Sequence, residues 1–489
     1  MGTSKEGKNG RTPARKIGLG LGSVLFVLFM VLPSEPSHPM AGRMAAVAVL
    51  MAAWWLTDAI PIAATALLPL VLFPLLGISK AGQIAPVYIN STIFLFIGGF
   101  VIALSMEQWG LHRRIALWII RLIGSGPSMI ILAFMTASAF LSMWISNTAT
   151  AIMMLPIGLA IVRQMEDGFG HKTSRNFTLA LLIGIAYGCS VGGMATIVGT
   201  PPNLVFARIF KITFPGATAV TFGQWFVMAL PLAAVMLMLA WVVLTQVMYR
   251  PSHRLVIDRS IVEKEYSALG KIGFEEMVVL VVFTVTALLW VFRKKLVIGS
   301  LTIPGWSMLL PYPAMIDDGS VAVAMALILF LVPSKSRNGA SAIAGTDVIR
   351  RLPWDIVMLF GGGFALAKGF QVSGLSSVIG SRLSALSGIS PFFMMVTVCL
   401  VITFLTELTS NTATTATFLP ILASVAIGLK INPLILMIPA TLSASCAFMM
   451  PVATPPNAIV FGSGRIKISQ MAKAGVVMNL LGVVVISLF

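Results

Sequence analysis

Two short polar strings interrupt an otherwise apolar chain of 489 residues: Ser146-Asn147-Thr148-Ala149-Thr150 and Ser410-Asn411-Thr412-Ala413-Thr414. Their hydroxyl and amide oxygens can ligate a hard cation, and their amide and hydroxyl protons can donate to an anion. Downstream of each comes a second shared string, Gly199-Thr200-Pro201-Pro202-Asn203 and Ala453-Thr454-Pro455-Pro456-Asn457. A helix cannot run through it: each proline removes a donor, and the second pushes the first out of helical dihedrals. In a bilayer, where backbone polar groups must be paired, such a break leaves carbonyls that need a cation or water. The helix N-terminus beyond it carries a positive dipole end that suits an anionic group.

The strings belong to an internal duplication. At an offset of 264, Phe96-Ile97-Gly98-Gly99-Phe100 returns as Phe360-Gly361-Gly362-Gly363-Phe364, Gly110-Leu111 as Gly374-Leu375, Ser142 as Thr406 and Leu155-Pro156 as Leu419-Pro420. The Thr-Pro-Pro-Asn strings are offset by 254, which fits a longer polar loop near Glu166 to Asn176 in the first half. A single Ser-Asn-Thr string reads equally well as hydroxyls bonded back to their own helix or as small residues for packing. Two copies, each followed by a helix-breaking string, point instead to discontinuous helices in matching places of two repeats, where transporters hold substrate and coupling ions.

Composition sets the surroundings. With 58% apolar and 10% charged residues and a mean hydropathy of +0.97, the chain has too little polar surface to cover a water-soluble globule. It reads as an all-α polytopic membrane protein with room for roughly ten to twelve spans of about 20 residues. The ~10-residue alternating segments of a membrane β-barrel are absent. The 33 Lys and Arg against 16 Asp and Glu are scattered over short connections and form no stripe with aromatics, so positive cytoplasmic loops explain them and nucleic acid does not. Lys5, Lys8, Arg11, Arg15 and Lys16 precede an apolar run to Leu32 with no small-residue cleavage pattern, which predicts a retained first span with a cytoplasmic amino terminus. Cys189, Cys399 and Cys446 lie in apolar runs without metal-type spacing and read as core residues.

Along the chain, Ala45 to Leu76 predicts a second span with a kinked end, and Asp58 is either functional or at a span end. Gln83 to Gly99, and its mate from Pro353 to Gly363, combine polar entry, a short apolar stretch and glycines. That allows a re-entrant hairpin or a span with glycines for close packing. Glu107, His112, Arg113 and Arg114 predict a charge cluster at the membrane surface, Phe206 to Phe214 an interfacial helix, and Arg250 to Glu276 a polar connector between the halves. The implied units are residues 1–82 (amino-terminal spans), 83–212 (first repeat), 213–352 (connecting spans and connector), 353–470 (second repeat) and 471–489 (last span).

An unpaired dianion in a low-dielectric interior costs on the order of 20 kcal/mol per ion in the idealised limit. Lys368 is the one basic residue in an apolar stretch near either string, so co-bound cations and helix dipoles remain as neutralisers, which argues for cation coupling. Moving charge is also worth about 2.3 kcal/mol per charge per 100 mV, so excess cation lets the membrane potential drive uptake. Glu407, one turn before Ser410 and matched by Met143, is either a protonatable functional group or a structural partner.

Taken together, the paired Ser-Asn-Thr and Thr-Pro-Pro-Asn strings, the second inside Met450-Pro451-Val452-Ala453-Thr454-Pro455-Pro456-Asn457-Ala458-Ile459-Val460-Phe461, resemble the divalent anion:sodium symporter family, the INDY-like sodium-dicarboxylate and citrate carriers. The resemblance implies inverted repeats with discontinuous helices, two re-entrant hairpins and about eleven spans, organised as scaffold and transport domains of an elevator and paired as a homodimer in the cell inner membrane. It implies substrate contacts from Asn147, Thr148, Asn411 and Thr412, with Thr200 and Thr454 beside them. One sodium site would use Ser142, Ser146, Asn147 and the Gly199 carbonyl, the other Thr406, Ser410, Asn411 and the Ala453 carbonyl. Intact strings favour sodium (Na+) symport of C4-dicarboxylates such as succinate, malate and fumarate over sodium-independent exchange, with citrate or sulfate as alternative substrates. An intramembrane enzyme is disfavoured: His38, His112, His171 and His253 sit in unrelated contexts, and neither His-Glu-x-x-His nor a nucleophile elbow occurs. Duplicated closed ion sites also suit alternating access better than a channel.

Overall fold

Proline, glycine and the polar strings decide where the helices stop. A computed structural model describes residues 13–33, 35–124, 126–252, 255, 260–336, 341–383 and 388–489; the basic Lys5, Lys8 and Arg11, and His253, lie outside them. Among the described residues the fold is all-α apart from one small hairpin, Leu296–Ile298 paired with Leu301–Ile303, and a single bridge between Pro333 and Ala342. Among the described residues, eight helices are long and apolar enough to cross a membrane, and six shorter apolar helices accompany them.

Each Ser-Asn-Thr string sits at the tip of a helical hairpin. Pro127–Ser142 leads in, Asn147–Phe169 leads out, and Gly170, at φ 78°, turns the chain into His171–Met194. Gly184, Gly188 and Gly192 of the third helix meet Met135, Ser138 and Ala139 of the first in ascending order, so these two run parallel. Gly158 of the middle helix faces Phe134 on one neighbour and Leu181 and Ile185 on the other, which sets it antiparallel between them. The second half repeats this with Pro391–Thr406, Asn411–Leu429 and Leu434–Ser443. A leading arm of 16 residues is about 24 Å long, short of the ~30 Å hydrocarbon core, which is the length of an arm that enters and returns.

This relocates the hairpins. Gly98 and Gly99 lie inside the helix Ser91–Gln108, and Gly361 to Gly363 inside Trp354–Val372. A Cβ on Gly98 would come 2.6 Å from the Ala322 backbone, and one on Gly362 2.6 Å from Ala66 Cα, so these glycines let helices touch. Ala45 to Leu76 is divided into Ala41–Thr57, Ile62–Ala66 and Leu68–Leu75, and Asp58 ends the first of these as a left-handed cap paired with Arg15 at 2.5 Å. Both side chains are about half exposed, which fits a span end.

The expected interfacial helix at Phe206 to Phe214 is instead part of Pro201–Thr213, which packs on Asn411–Leu429 and Trp354–Val372; its Leu204, Val205, Phe206, Ile209 and Phe210 are buried, the Phe206 ring lying against Trp225. The amphipathic helix Leu111–Leu122 carries the surface role. Its apolar face (Leu111, Leu117, Ile120) is buried, while Arg113 pairs with Glu265, Arg114 with Glu276 at 2.5 Å and Arg121 with Glu263 at 2.9 Å. Glu107 pairs with Arg351 at 2.9 Å, so only the arginines of the charge cluster are spent on the connector. A buried pair, Arg293 with Asp318, is completed by Trp290 Nε1 donating to the Asp318 carbonyl at 3.0 Å. The three cysteines are free and buried.

Candidate functional site

Each hairpin tip ends in the same local chemistry. Ser146 caps its helix by accepting the Ala149 amide at 3.1 Å, and Ser410 accepts the Ala413 amide at 3.4 Å, satisfying one of the first-turn donors that a helix cannot satisfy itself. In these long helices the remaining N-terminal amides, at the Asn-Thr steps, carry the positive dipole end. Thr148 is half-buried beside Asn147, and Thr412 is buried beside half-buried Asn411.

The residue before each turn reaches back to the asparagine. Ser142 Oγ donates to Asn147 Oδ1, and Thr406 Oγ1 lies 2.7 Å from Asn411 Oδ1 and 2.9 Å from the Ala444 carbonyl. One hydroxyl proton cannot serve both acceptors, so oxygens outnumber protons there. In the first half, the place where a Cβ on Gly193 would stand is 3.0 Å from Asn147 Oδ1 and 3.2 Å from the Gly199 carbonyl oxygen. Asn147 and the Gly199 carbonyl, which the resemblance assigns to one ion site, thus border the same glycine-opened space, with Asn147 Nδ2 also 3.2 Å from that point. Among the described residues no cluster of three His, Cys, Asp or Glu side chains occurs; a cation here meets hydroxyl, amide and carbonyl oxygen, the donor set of a hard ion.

The Thr-Pro-Pro-Asn strings break the helices as expected, but their free carbonyls are not all left for ions. Asn203 Nδ2 donates to the carbonyls of Gly193, Met194 and Thr196 at 3.2, 3.3 and 2.7 Å. Asn457 Nδ2 does the same for Ala447 at 3.1 Å and Met450 at 3.0 Å. Thr196 adds a second clasp, donating to the Met143 carbonyl at 2.6 Å and accepting the Gly199 amide at 2.9 Å. Thr200 and Thr454 are the buried N-cap residues of Pro201–Thr213 and Pro455–Phe461, with Thr454 Oγ1 accepting the Asn457 amide at 3.3 Å. Ala453 lies in the second break, its amide 3.2 Å from the Met450 carbonyl.

Glu407 is structural. Its buried carboxylate accepts the Phe448, Met449 and Met450 amides at 2.7, 2.9 and 2.9 Å and the Asn479 side chain at 2.7 Å, so every partner is a donor. Lys368 gives its ammonium to Gln371 at 2.9 Å, near Gly369, which packs on Met44 and Phe73; it touches neither string. The asparagines of Thr-Pro-Pro-Asn were visible in the sequence, but the carbonyls they clasp, and the roles of Gly193, Thr196 and Asn479, depend on contacts that spacing does not encode.

The halves meet by exchange. The first tip helix, Asn147–Phe169, packs on Pro455–Phe461 of the second half, and Pro201–Thr213 of the first packs on the second tip helix, Asn411–Leu429. Tyr187 closes the seam by donating to the Phe448 carbonyl at 2.9 Å.

Comparison with known proteins agrees with this architecture. The chain is 38% identical to a sodium-dependent dicarboxylate transporter, SdcS, of Staphylococcus saprophyticus over 479 residues, covering 96% of this chain and 90% of the relative. It is 40% identical to the Staphylococcus aureus SdcS over 478 residues, with the same coverage. Among solved structures, the YdaH transporter of Alcanivorax borkumensis superimposes with a TM-score of 0.58 at 14% identity over 97% of this chain and 96% of that one. MtrF of Neisseria gonorrhoeae does so with a TM-score of 0.57 at 12% identity over 98% and 96%. At such identities these two speak for the fold alone. Residues 18–489 match the family described as the sodium:sulfate symporter transmembrane region, and the chain belongs to that family.

Proposed function

We propose that the protein is a sodium-coupled secondary symporter that carries C4-dicarboxylates such as succinate, malate or fumarate inward across the plasma membrane. The observation that carries this reading is the convergence of Asn147 Oδ1 and the Gly199 carbonyl on the space beside Gly193, with Ser142 bonded to the same asparagine. Thr406, Asn411 and the Ala444 carbonyl form the counterpart. In this reading each half binds one sodium ion through that oxygen set, joined by Ser146, Ser410 and the Ala453 carbonyl. One substrate carboxylate lies at each tip, on Asn147 and Thr148 or on Asn411 and Thr412, with Thr200 and Thr454 behind.

The absence of a free lysine or arginine at the described strings makes the sodium ions and the helix N-termini the counter-charge for the dianion. The two repeats, residues 83–212 and 353–470, move together as a transport domain, residues 1–82 and 213–352 supply the scaffold, and two copies pair through the scaffold. The relatives named as sodium-dependent dicarboxylate transporters support both the ion and the substrate class.

The test is uptake of labelled succinate into proteoliposomes under sodium, potassium or proton gradients, with empty or succinate-loaded lumens. Sodium-driven accumulation into empty vesicles, lost in Asn147→Ala and in Asn411→Ala, is the expected result. Flux only into loaded vesicles and indifferent to sodium refutes coupling and leaves an exchanger. Uptake of citrate or sulfate but not succinate refutes the substrate class.

A further inference from the structure

Away from both strings, a cavity of about 450 Å³ opens between Pro13–Val31 and Ala41–Thr57 on one side and Trp354–Val372, Leu375–Leu383 and Asn411–Leu429 on the other. Phe29, Ala45, Ala48, Phe370, Val378 and Ile421 make its wall apolar, and small side chains at Ala45 and Ala48 leave the room. Leu32, nearly half exposed, lies at its edge. Around a membrane protein, apolar space open to the surface is filled by acyl chain, because lipid is the solvent there.

Two further observations give the occupant a polar end. Thr417, only 4% exposed, borders the cavity, and its hydroxyl, itself covered, has no hydrogen-bond partner. Glu35 and Arg382 both line it as well, and among the described residues neither is in an ion pair, with the other or with anything else. An anion alone would satisfy Arg382 and be repelled by Glu35; a cation alone would do the reverse. A group carrying both charges satisfies both.

We propose that this cavity is a binding site for a membrane phospholipid with an ethanolamine headgroup, its acyl chain in the apolar channel, its phosphate on Arg382 and its ammonium on Glu35. An ester oxygen of the same lipid accepts from Thr417. A choline headgroup has no N–H to offer Glu35, and a glycerol headgroup has no cation. The site also touches function, because Thr417 and Ile421 belong to the helix that begins at Asn411; lipid bound here braces the back of the second tip helix against the first two helices.

The full-length protein, taken from nanodiscs of equal parts phosphatidylethanolamine, phosphatidylglycerol and phosphatidylcholine, is released for native mass spectrometry. Retained phosphatidylethanolamine in preference to the other two is expected. Arg382→Gln should lower its retention about fivefold, the worth of one basic contact to lipid phosphate. Glu35→Gln should abolish the preference over phosphatidylglycerol, and Ala48→Phe should remove bound lipid at an unchanged melting temperature. If Ala48→Phe does not fold, Thr417→Val combined with Arg382→Gln provides the same readout. No retained lipid, retention in proportion to the mixture, retention unaltered in the variants, or a second copy of the chain seated over the cavity overturns the proposal.

Discussion

Glu407 and Asn479 meet through a 2.7 Å hydrogen bond that joins the second hairpin to the last helix, Ile468–Leu488. The same carboxylate takes the Phe448, Met449 and Met450 amides, while Asn457 takes the Met450 carbonyl from the other side. The peptide groups of the second break are therefore fixed by one buried acid. The first half has Met143 at this position and closes its break with the Thr196 hydroxyl instead.

Glu407→Gln keeps the volume but turns one oxygen into an NH₂ that faces donors. The expected cost is about 2–4 kcal/mol of stability, since hydrogen bonds to a charged acceptor are lost in a buried place. Asn479→Leu, which removes a single donor, should cost about 1–2 kcal/mol. Melting of the purified protein in detergent measures both, and an unchanged melting temperature in Glu407→Gln would show that the acid does not hold the break.

Asn203 shares its two amide protons among three carbonyls and Asn457 gives its two to two, so Asn203→Ala and Asn457→Ala should cost about the same, roughly 2 kcal/mol each. If the proposed sodium site is right, both should raise the sodium concentration for half-maximal uptake, because the carbonyls beside the proposed ligands lose their fixed direction. Titration of uptake against sodium separates this from a folding defect when surface expression is matched.

Gly193→Ala places a Cβ 3.0 Å from Asn147 Oδ1 and 3.2 Å from the Gly199 oxygen. The protein should fold, since the nearest obstacle includes a side-chain end, but sodium should no longer raise its melting temperature as a bound ligand does. Gly98→Ala, whose Cβ would meet the Ala322 backbone at 2.6 Å, should instead destabilise the protein in sodium and potassium alike.

His112 supplies a pH dependence. Burial is the main cause holding its imidazole below the ordinary value near 6.5, and its ring Nδ1 lies 3.0 Å from the Met106 carbonyl. The unfolded chain then takes up the proton more readily than the folded one. Stability present above about pH 6.5 is lost as pH falls from there toward the lower folded value. Melting curves from about pH 8 to pH 5 should show this decline, reduced in His112→Gln.

The duplicated strings made the site legible because chemistry and repetition coincide in them: Ser-Asn-Thr needs no tertiary context to be read as oxygen donors, and a double proline must break a helix. The glycine strings leave hairpin and span undecided for a physical reason. Gly98-Gly99 and Gly361-Gly362-Gly363 signal backbone approach, and approach serves a turn or a helix crossing equally well; Ala322 and Ala66, distant in sequence, decide for crossing. Arg208 and Lys211 make Phe206 to Phe214 look like a helix with a wet face, whereas Phe206 and Phe210 are buried and the helix packs on helices of the other half. Glu407 could not be assigned from sequence because its partners are backbone amides, which every residue carries.

The reciprocal seating of the two halves has a bearing on descent. Neither half covers its own Thr-Pro-Pro-Asn helix with its own tip helix; each lends that helix to the other. A half-length chain would therefore expose surfaces that are buried between the halves here, and two separate copies facing one another would cover both. A fused pair of that kind would need only a connector, and here a polar stretch, anchored by Glu265 and Glu276 on Arg113 and Arg114, joins the halves.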